Sequence, residues 1–417
     1  MISRRPPSEV GRRDLVVILD APELGLARPV GVLTRWPGPI LSVAFTYARS
    51  WLDDVEHRFA IDPRLQLGEA QYTIGGRRLP GILADTAPDA WGEALMVRRA
   101  GGRYLDAWDL LLGVDDGTRM GALRLRDGPA GDWLAGGGPS VPPFHRLREL
   151  QEMARRFEAD PDAVTAAEID LLLAPGASLG GGRPKASYAD PDGSLWIAKF
   201  PSRTDQRDAS AWEHAYARLA RDAGIEVPET RLLTIAGRRR TFATRRFDRT
   251  PDGRRLYASA LTMTGRSTTA GADYVEVAQA VTDHVEATQV RASLAQLYRR
   301  MAFNVLAGNR DDHLRNLGFL RHAGGWRLAP AFDLNPAREM REHATAVNGR
   351  TVGPTAADVL DARAFFGLPE REARSLVRAV AEAVSTWRQV ATELGIDRGE
   401  QDEAAGAFGA LETAQRI

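Results

Sequence analysis

Hydrophobic residues recur at strand spacing in two stretches of this chain and at helix spacing in the rest, and the order of those stretches limits the folds open to it. Residues 14–80 alternate short apolar runs, Leu15-Val-Val-Ile-Leu19, Val30-Gly-Val-Leu33 and Leu41-Ser-Val-Ala-Phe45, with Pro/Gly turns, which predicts a small β-rich unit. Asp85-Thr-Ala-Pro-Asp-Ala-Trp-Gly92 then offers cap residues and an early proline, the start of a helix to about Arg99. Asp127 to Pro143, rich in Gly, Pro and Asp, makes the best domain boundary, with helices predicted beyond it at 147–157 and 163–173. From Ala177 to Phe247 strand signals return: Lys185-Ala-Ser-Tyr188, the turn Asp190-Pro-Asp-Gly193 and Leu195-Trp-Ile-Ala-Lys-Phe200 read as a hairpin. A helical segment at 209–223 and two further strands follow. In the last third, Leu294, Leu297, Tyr298, Met301 and Val305 recur at helical spacing, as do Leu376, Val380, Val384 and Trp387. The expected chain is therefore α+β: a β-rich module, a mixed lobe and a helical lobe.

Composition narrows the function. With 44% hydrophobic and 26% charged residues over 417 positions, the chain reads as a globular protein of at least two packed units. No apolar run approaches the roughly 18 residues of a spanning helix, and Leu15–Leu19 is too short for a signal core, so a cytoplasmic address with no membrane contact is expected. The absence of cysteine excludes disulfides, thiolate metal sites and cysteine nucleophiles. Basic and acidic residues balance at 55 each, so the chain has no overall field to pull it onto nucleic acid. The basic residues are uneven in kind: 53 are arginine, and the two lysines, Lys185 and Lys199, lie within fifteen residues of each other. Such placement suggests sites where a compact ammonium serves and a forked guanidinium does not.

The segment richest in chemistry is Asn309-Arg-Asp-Asp-His-Leu-Arg-Asn316, after the helix that Gly308 should end. It contains R-D-x-x-x-x-N, the spacing with which protein kinases place a catalytic aspartate and a magnesium-holding asparagine, here Asp311 and Asn316. A hairpin signal, Leu317-Gly-Phe-Leu320 with Trp326-Arg-Leu328, leads to Phe332-Asp333, whose carboxylate could serve as a second oxygen ligand for magnesium. His313 has no second histidine at ligand spacing and is read as ordering the loop. Upstream, Gly180-Gly-Gly-Arg-Pro-Lys185 can cradle phosphates through backbone N–H groups, although it is not a Walker motif and a plain turn is the alternative. Lys199, in the apolar strand Trp196-Ile-Ala-Lys-Phe200, needs a partner for its charge. Glu213, on the following helix, is the candidate.

Together these segments resemble the HipA family, kinase-like toxins of bacterial toxin–antitoxin systems. The resemblance spans nearly the whole chain. It rests on Gly31-Val-Leu33, Phe45-Thr-Tyr47, Leu83 to Gly92, Gly113-Val-Asp-Asp-Gly117 and Gly121-Ala-Leu123 in the first part. In the second it rests on Ser178 to Lys185, Arg246-Phe-Asp-Arg249, Asn309 to Asn316 and Ala331-Phe-Asp333. It implies a protein-kinase-like two-lobed fold: tail 1–13, N-terminal module 14–135, small lobe with nucleotide loop 144–250 and helical catalytic lobe 251–417. It implies ATP and Mg2+ as cofactors and a serine/threonine protein kinase with Asp311 as catalytic aspartate. Gly180, Gly181, Gly182, Lys185, Lys199, His313, Asn316 and Asp333 would line the nucleotide and metal, and Arg245 and Phe247 the adenine, mainly through backbone. Ser178 matches a serine that such kinases phosphorylate in themselves; two negative charges there would repel ATP phosphates and switch the enzyme off. The resemblance also implies a HipB-like helix-turn-helix antitoxin partner that carries the DNA contact, and an aminoacyl-tRNA synthetase as protein substrate. The chain departs from the family in Gly-Gly-Gly-Arg-Pro of the nucleotide loop and in Arg245, where an acidic hinge residue is expected. Two other readings stay open: a pseudokinase that acts as a binding or corepressor subunit, and a small-molecule kinase.

Overall fold

The computed structural model describes residues 11–38, 40–74, 78–128, 130–135, 141–176, 182–237, 239–337 and 339–414. Strands β1 (Arg13–Ala21), β2 (Leu26–Trp36), β3 (Ser42–Tyr47), β4 (Tyr72–Ile74) and β5 (Leu123–Arg126) form one sheet in the order β4-β3-β2-β1-β5. Its pairs are antiparallel, and the register of β1 on β2 slips between Val17 and Ile18. Gly31 is required where it stands, because a Cβ there would lie 2.3 Å from Cζ of the Phe45 ring on β3.

A second antiparallel sheet, β6 (Lys185–Ala189), β7 (Leu195–Lys199), β8 (Thr230–Leu233) and β9 (Thr241–Arg245), is ordered β6-β7-β9-β8. Strand side chains alternate between faces. Ala186, Tyr188, Trp196, Ala198 and Ala243 therefore share one face, where they pack with Leu150, Met153 and Phe157 of helix Leu147–Ala159. Trp91 and Leu95, from helix Ala90–Arg99, join the same buried cluster, so the first part of the chain helps build the core of this lobe. The other face carries Lys185, Ser187, Ile197, Lys199, Phe242 and Thr244, as the registers require. This is the face that looks into the cleft.

The last part of the chain is helical around Val290–Ala307, whose Leu297, Tyr298, Met301 and Val305 are buried together with Val377, Val380 and Val384 of helix Glu370–Ser385. A small sheet of Tyr257–Ser259, Gly318–His322 and Gly325–Leu328 sits beside them. The fold is α+β, two kinase-like lobes with an added β-rich N-terminal module and a helical C-terminal lobe. Among the described residues no helix is long and apolar enough to cross a membrane.

Candidate active site

Lys185 and Lys199 are register partners across the β6–β7 ladder, so their side chains leave the same face side by side. Like charges in that position repel. Carboxylates from three distant segments surround them. Lys199 Nζ donates to Glu213 at 2.6 Å and to Asp333 at 2.5 Å. Glu213 comes from helix Ala209–Asp222, and Asp333 follows the Gly318–Leu328 hairpin. Lys185 Nζ donates to Asp89. Asp89 also caps helix Ala90–Arg99 by accepting from the Gly92 N–H at 2.9 Å. Burial alone would lower the Lys199 pKa, but Asp333 and Glu213 outweigh it and hold the ammonium well above its ordinary value. For Asp333, burial pulls upward and the charges of Lys199 and Lys185 prevail, leaving the carboxyl below its usual range. Burial dominates at Glu213, whose pKa is raised against the pull of Lys199. Asp333 has a φ of 57°, a left-handed conformation that aspartate tolerates better than most residues.

The facing segment starts where helix Val290–Ala307 ends. Gly308 takes a φ of 66°, and a Cβ there would lie 2.3 Å from the Ala407 carbonyl oxygen. That turn releases Asn309 to Asn316 from the helix. Asp312 is buried and anchors this loop, accepting from the Tyr274 hydroxyl at 2.8 Å and the Thr345 N–H at 3.2 Å, with His343 Nδ1 also 3.2 Å away. Asn304 donates to the Tyr274 hydroxyl at 2.7 Å and accepts from Asn309 at 2.9 Å. Asp311 is left half-exposed, beside His313, whose Nε2 is 3.9 Å from its carboxylate. Its pKa is raised by partial burial, and repulsion from Asp333 and Asp312 works against the attraction of His313 and Lys199.

The structure thus brings Lys199, Glu213 and Asp333 into contact and sets Asp311 within reach of their charges. Asn316 donates through Nδ2 to the Asp311 carbonyl at 2.9 Å, which leaves its buried Oδ1 without a partner among the described residues. An orphaned amide oxygen and the Asp333 carboxylate are the oxygen donors a hard divalent cation takes, so these residues fit magnesium brought with a nucleotide. Among the described residues no cluster of three or more His, Asp or Glu could hold a metal alone. Gly182 lies just before β6, whereas Ser178, Gly180 and Gly181 are outside the described residues. Lys185 is engaged by Asp89. At the expected hinge the Arg245 N–H donates to the Glu229 carbonyl at 2.9 Å and the Arg246 N–H to the Leu195 carbonyl at 2.8 Å, so these two backbone donors are already engaged. The Arg245 side chain points outward, 3.8 Å from Glu229, and the Phe247 ring packs 5.4 Å from Phe332.

Sequence reasoning did not find several residues that hold this site. Asp85 accepts from the Ser259 N–H at 2.8 Å and from the hydroxyls of Ser259 and Thr262, both at 2.7 Å, joining the N-terminal module to the catalytic lobe. Asp248, fully buried, accepts from Arg246 at 2.7 Å and from the Gly121 N–H at 2.8 Å, while Arg246 donates to the Thr118 carbonyl at 2.6 Å. The Arg-Phe-Asp-Arg run is thereby a buried clasp between hinge and module. Asn304 offered a signal, a polar side chain within an otherwise apolar helical row; Tyr274 and His343 offered none.

Comparison with known proteins bears on the family and the fold. The HipA-like C-terminal domain family matches residues 177–387, and the HipA N-terminal domain family matches residues 26–126. The chain is 26% identical over 290 residues to Toxin YjjJ of Escherichia coli, a match that covers 64% of this chain and 62% of that protein. A Haemophilus influenzae protein that carries the word kinase in its name is 29% identical over 136 residues, covering 29% of this chain and 39% of its own length. The matches therefore span about two-fifths to three-fifths of these relatives. The fold is similar to HipA in the Shewanella oneidensis toxin–antitoxin complex of HipA, HipB and operator DNA, with a TM-score of 0.70, 18% identity and 97% of both chains covered. With one family description covering more than half of its length and a second covering its β-rich module, the chain belongs to the HipA family.

Proposed function

We propose that this protein is an ATP- and magnesium-dependent serine/threonine protein kinase that acts as a HipA-like toxin. The observation that carries this reading is the Lys199 pair with Glu213 and Asp333, set opposite the exposed carboxylate of Asp311. A lysine held by a helix glutamate is pre-placed for nucleotide phosphates, and catalysis of phosphoryl transfer is mostly positioning and charge stabilisation. Asn316 and Asp333 would hold the metal; when bound, it neutralises charge on the transferred phosphoryl group. Asp311 would accept the substrate hydroxyl proton, a task suited by a raised carboxyl pKa. Asp312, Tyr274 and Asn304 hold the Asp311 loop at its base. Ser178 is the proposed site of inhibitory self-phosphorylation.

A protein substrate is favoured over a small one because the N-terminal module, clasped through Asp85, Asp89 and Asp248, is larger than a small acceptor requires. By analogy with the Shewanella complex, the partner would be a HipB-like helix-turn-helix antitoxin, with DNA reached through it. An aminoacyl-tRNA synthetase is the proposed substrate class, and phosphorylating it would arrest translation. The pseudokinase reading, with the chain as a binding subunit, draws on Lys185 being engaged by Asp89 and on the altered glycine loop. Incubation with labelled ATP and magnesium, offering synthetases, sugars and choline as acceptors, separates these readings: labelled synthetase supports the proposal, labelled small acceptor or absent ATP binding opposes it.

A further inference from the structure

Behind the hinge lies a cavity of about 480 Å³ that none of Lys199, Asp311, Asn316 or Asp333 lines. One wall is a single face of helix Val290–Ala307 with the residue just before it: Gln289, Ser293, Gln296 and Arg300 follow each other at helical spacing. The opposite wall is Arg245 to Phe247, which also border the Lys199 cleft, with the Gly318–Leu328 hairpin beside it. Cations outnumber anions in this lining. Their partners differ in one respect. Arg245 faces Glu229, Arg246 and Arg249 hold Asp248, and Arg255 and His322 share Glu23. Arg327 pairs with Glu286. Arg300 is 3% exposed, yet its Nε, Nη1 and Nη2 all lack a hydrogen-bond partner among the described residues.

A buried guanidinium with all its donors unanswered is costly, and a side chain kept in that state next to an open cavity is suited to a ligand. Guanidinium geometry matches the paired oxygens of phosphate. The acidic lining residues answer that charge only in part: Glu229 is turned to Arg245 and Arg231, and the exposed Glu226 favours the Arg300 charge from a distance without a hydrogen bond to it among the described residues. The volume falls in the range of small-molecule sites, roughly 300–1,000 Å³. We propose that this cavity is a second ligand site that takes a small phosphorylated molecule on the guanidinium of Arg300, with Gln289 and Ser293 meeting the rest of it. Arg300 is also one helical turn before Asn304, which bonds Tyr274 and Asn309 at the base of the catalytic loop. Occupancy is thus placed next to the loop that carries Asp311.

The test is calorimetric titration of the full chain with inorganic pyrophosphate in a Lys199→Met background, which removes the phosphate contact of the nucleotide cleft, alone and combined with Arg300→Met or Glu226→Gln. Loss of a charge-assisted pair should weaken binding at least about tenfold when Arg300→Met is added, and Glu226→Gln should tighten it. The variant that combines Lys199→Met with Arg300→Met should also melt higher than its Lys199→Met parent without anion, and gain nothing from pyrophosphate. No binding to the Lys199→Met parent, or binding undiminished by Arg300→Met, would each overturn the site. Should Arg300→Met fail to fold, crystals of wild type soaked in tungstate decide: density against the Arg300 guanidinium upholds the proposal, and density only elsewhere refutes it.

Discussion

Lys185 and Lys199 stand directly opposite each other in the β6–β7 ladder, and the carboxylates that hold them come from separate segments of the chain. Asp89 belongs to the N-terminal module, whereas Glu213 and Asp333 belong to the two lobes of the cleft. Docking of the module and assembly of the lysine-bearing face of the cleft are consequently one electrostatic event. This explains why a chain otherwise built on arginine keeps its two lysines so near each other: adjacent compact ammonium groups, Lys185 with Asp89 and Lys199 with Glu213 and Asp333, fit where two guanidinium forks would collide.

Asp89→Ala should destabilise the protein by about 3–5 kcal/mol, because a buried charge loses a carboxylate partner and a helix loses its cap. Chemical denaturation measures it, and Asp89→Asn should recover part of the loss by restoring the cap.

At Asp312 the expected effect is on turnover. Asp312→Asn confronts the Tyr274 hydroxyl and the Thr345 N–H with an amide, at a cost of roughly 1–3 kcal/mol in stability. Since Asp312 is buried behind the loop, kcat should fall while the KM for ATP holds. An increase in KM alone would place Asp312 in nucleotide binding instead.

Much of the site was legible in the sequence, for a physical reason. Lys199, Asp311, Asn316 and Asp333 announce themselves because chemistry demands particular residue types at short, fixed spacings, and a lone lysine in an apolar strand demands a counter-charge. The strand and helix regimes were visible through their periods. The carboxylate network was not. Asp85 and Asp89 read as a helix start and Asp248 as part of a family mark without a role, since their partners Ser259, Lys185 and Gly121 are far away in the chain and only tertiary folding brings them in. Arg300 shows the same limit, being one arginine among 53 until its burial without a partner sets it apart.

The acid limb of the pH–rate profile should report Asp311. Its folded pKa is raised, so the base is lost by protonation at a higher pH than for an ordinary aspartate of about 3.9. The sign for stability is the reverse: a raised carboxyl pKa costs stability as pH climbs through that window, so Asp311→Asn should be the more stable protein at neutral pH while transfer disappears. A limb at the ordinary aspartate value, or unchanged stability in Asp311→Asn, would contradict this assignment.

Lys199→Met should lower phosphoryl transfer by about 100-fold or more, and Glu213→Gln by less, since the first removes the phosphate contact and the second only its positioning. Transfer kinetics at saturating ATP would reveal the order, and an equal loss in both would give Glu213 a direct part.

Phosphoryl transfer from ATP through Asp311 can be followed by intact-mass measurement of wild type and Asp311→Ala after incubation with ATP and magnesium, with and without added synthetases. The account predicts one added phosphoryl group, mapped to Ser178, or a phosphorylated synthetase, with wild type only, while Asp311→Ala still binds ATP. Equal transfer by Asp311→Ala would contradict the role of Asp311, and a wild type that neither binds ATP nor phosphorylates anything would contradict the kinase reading itself.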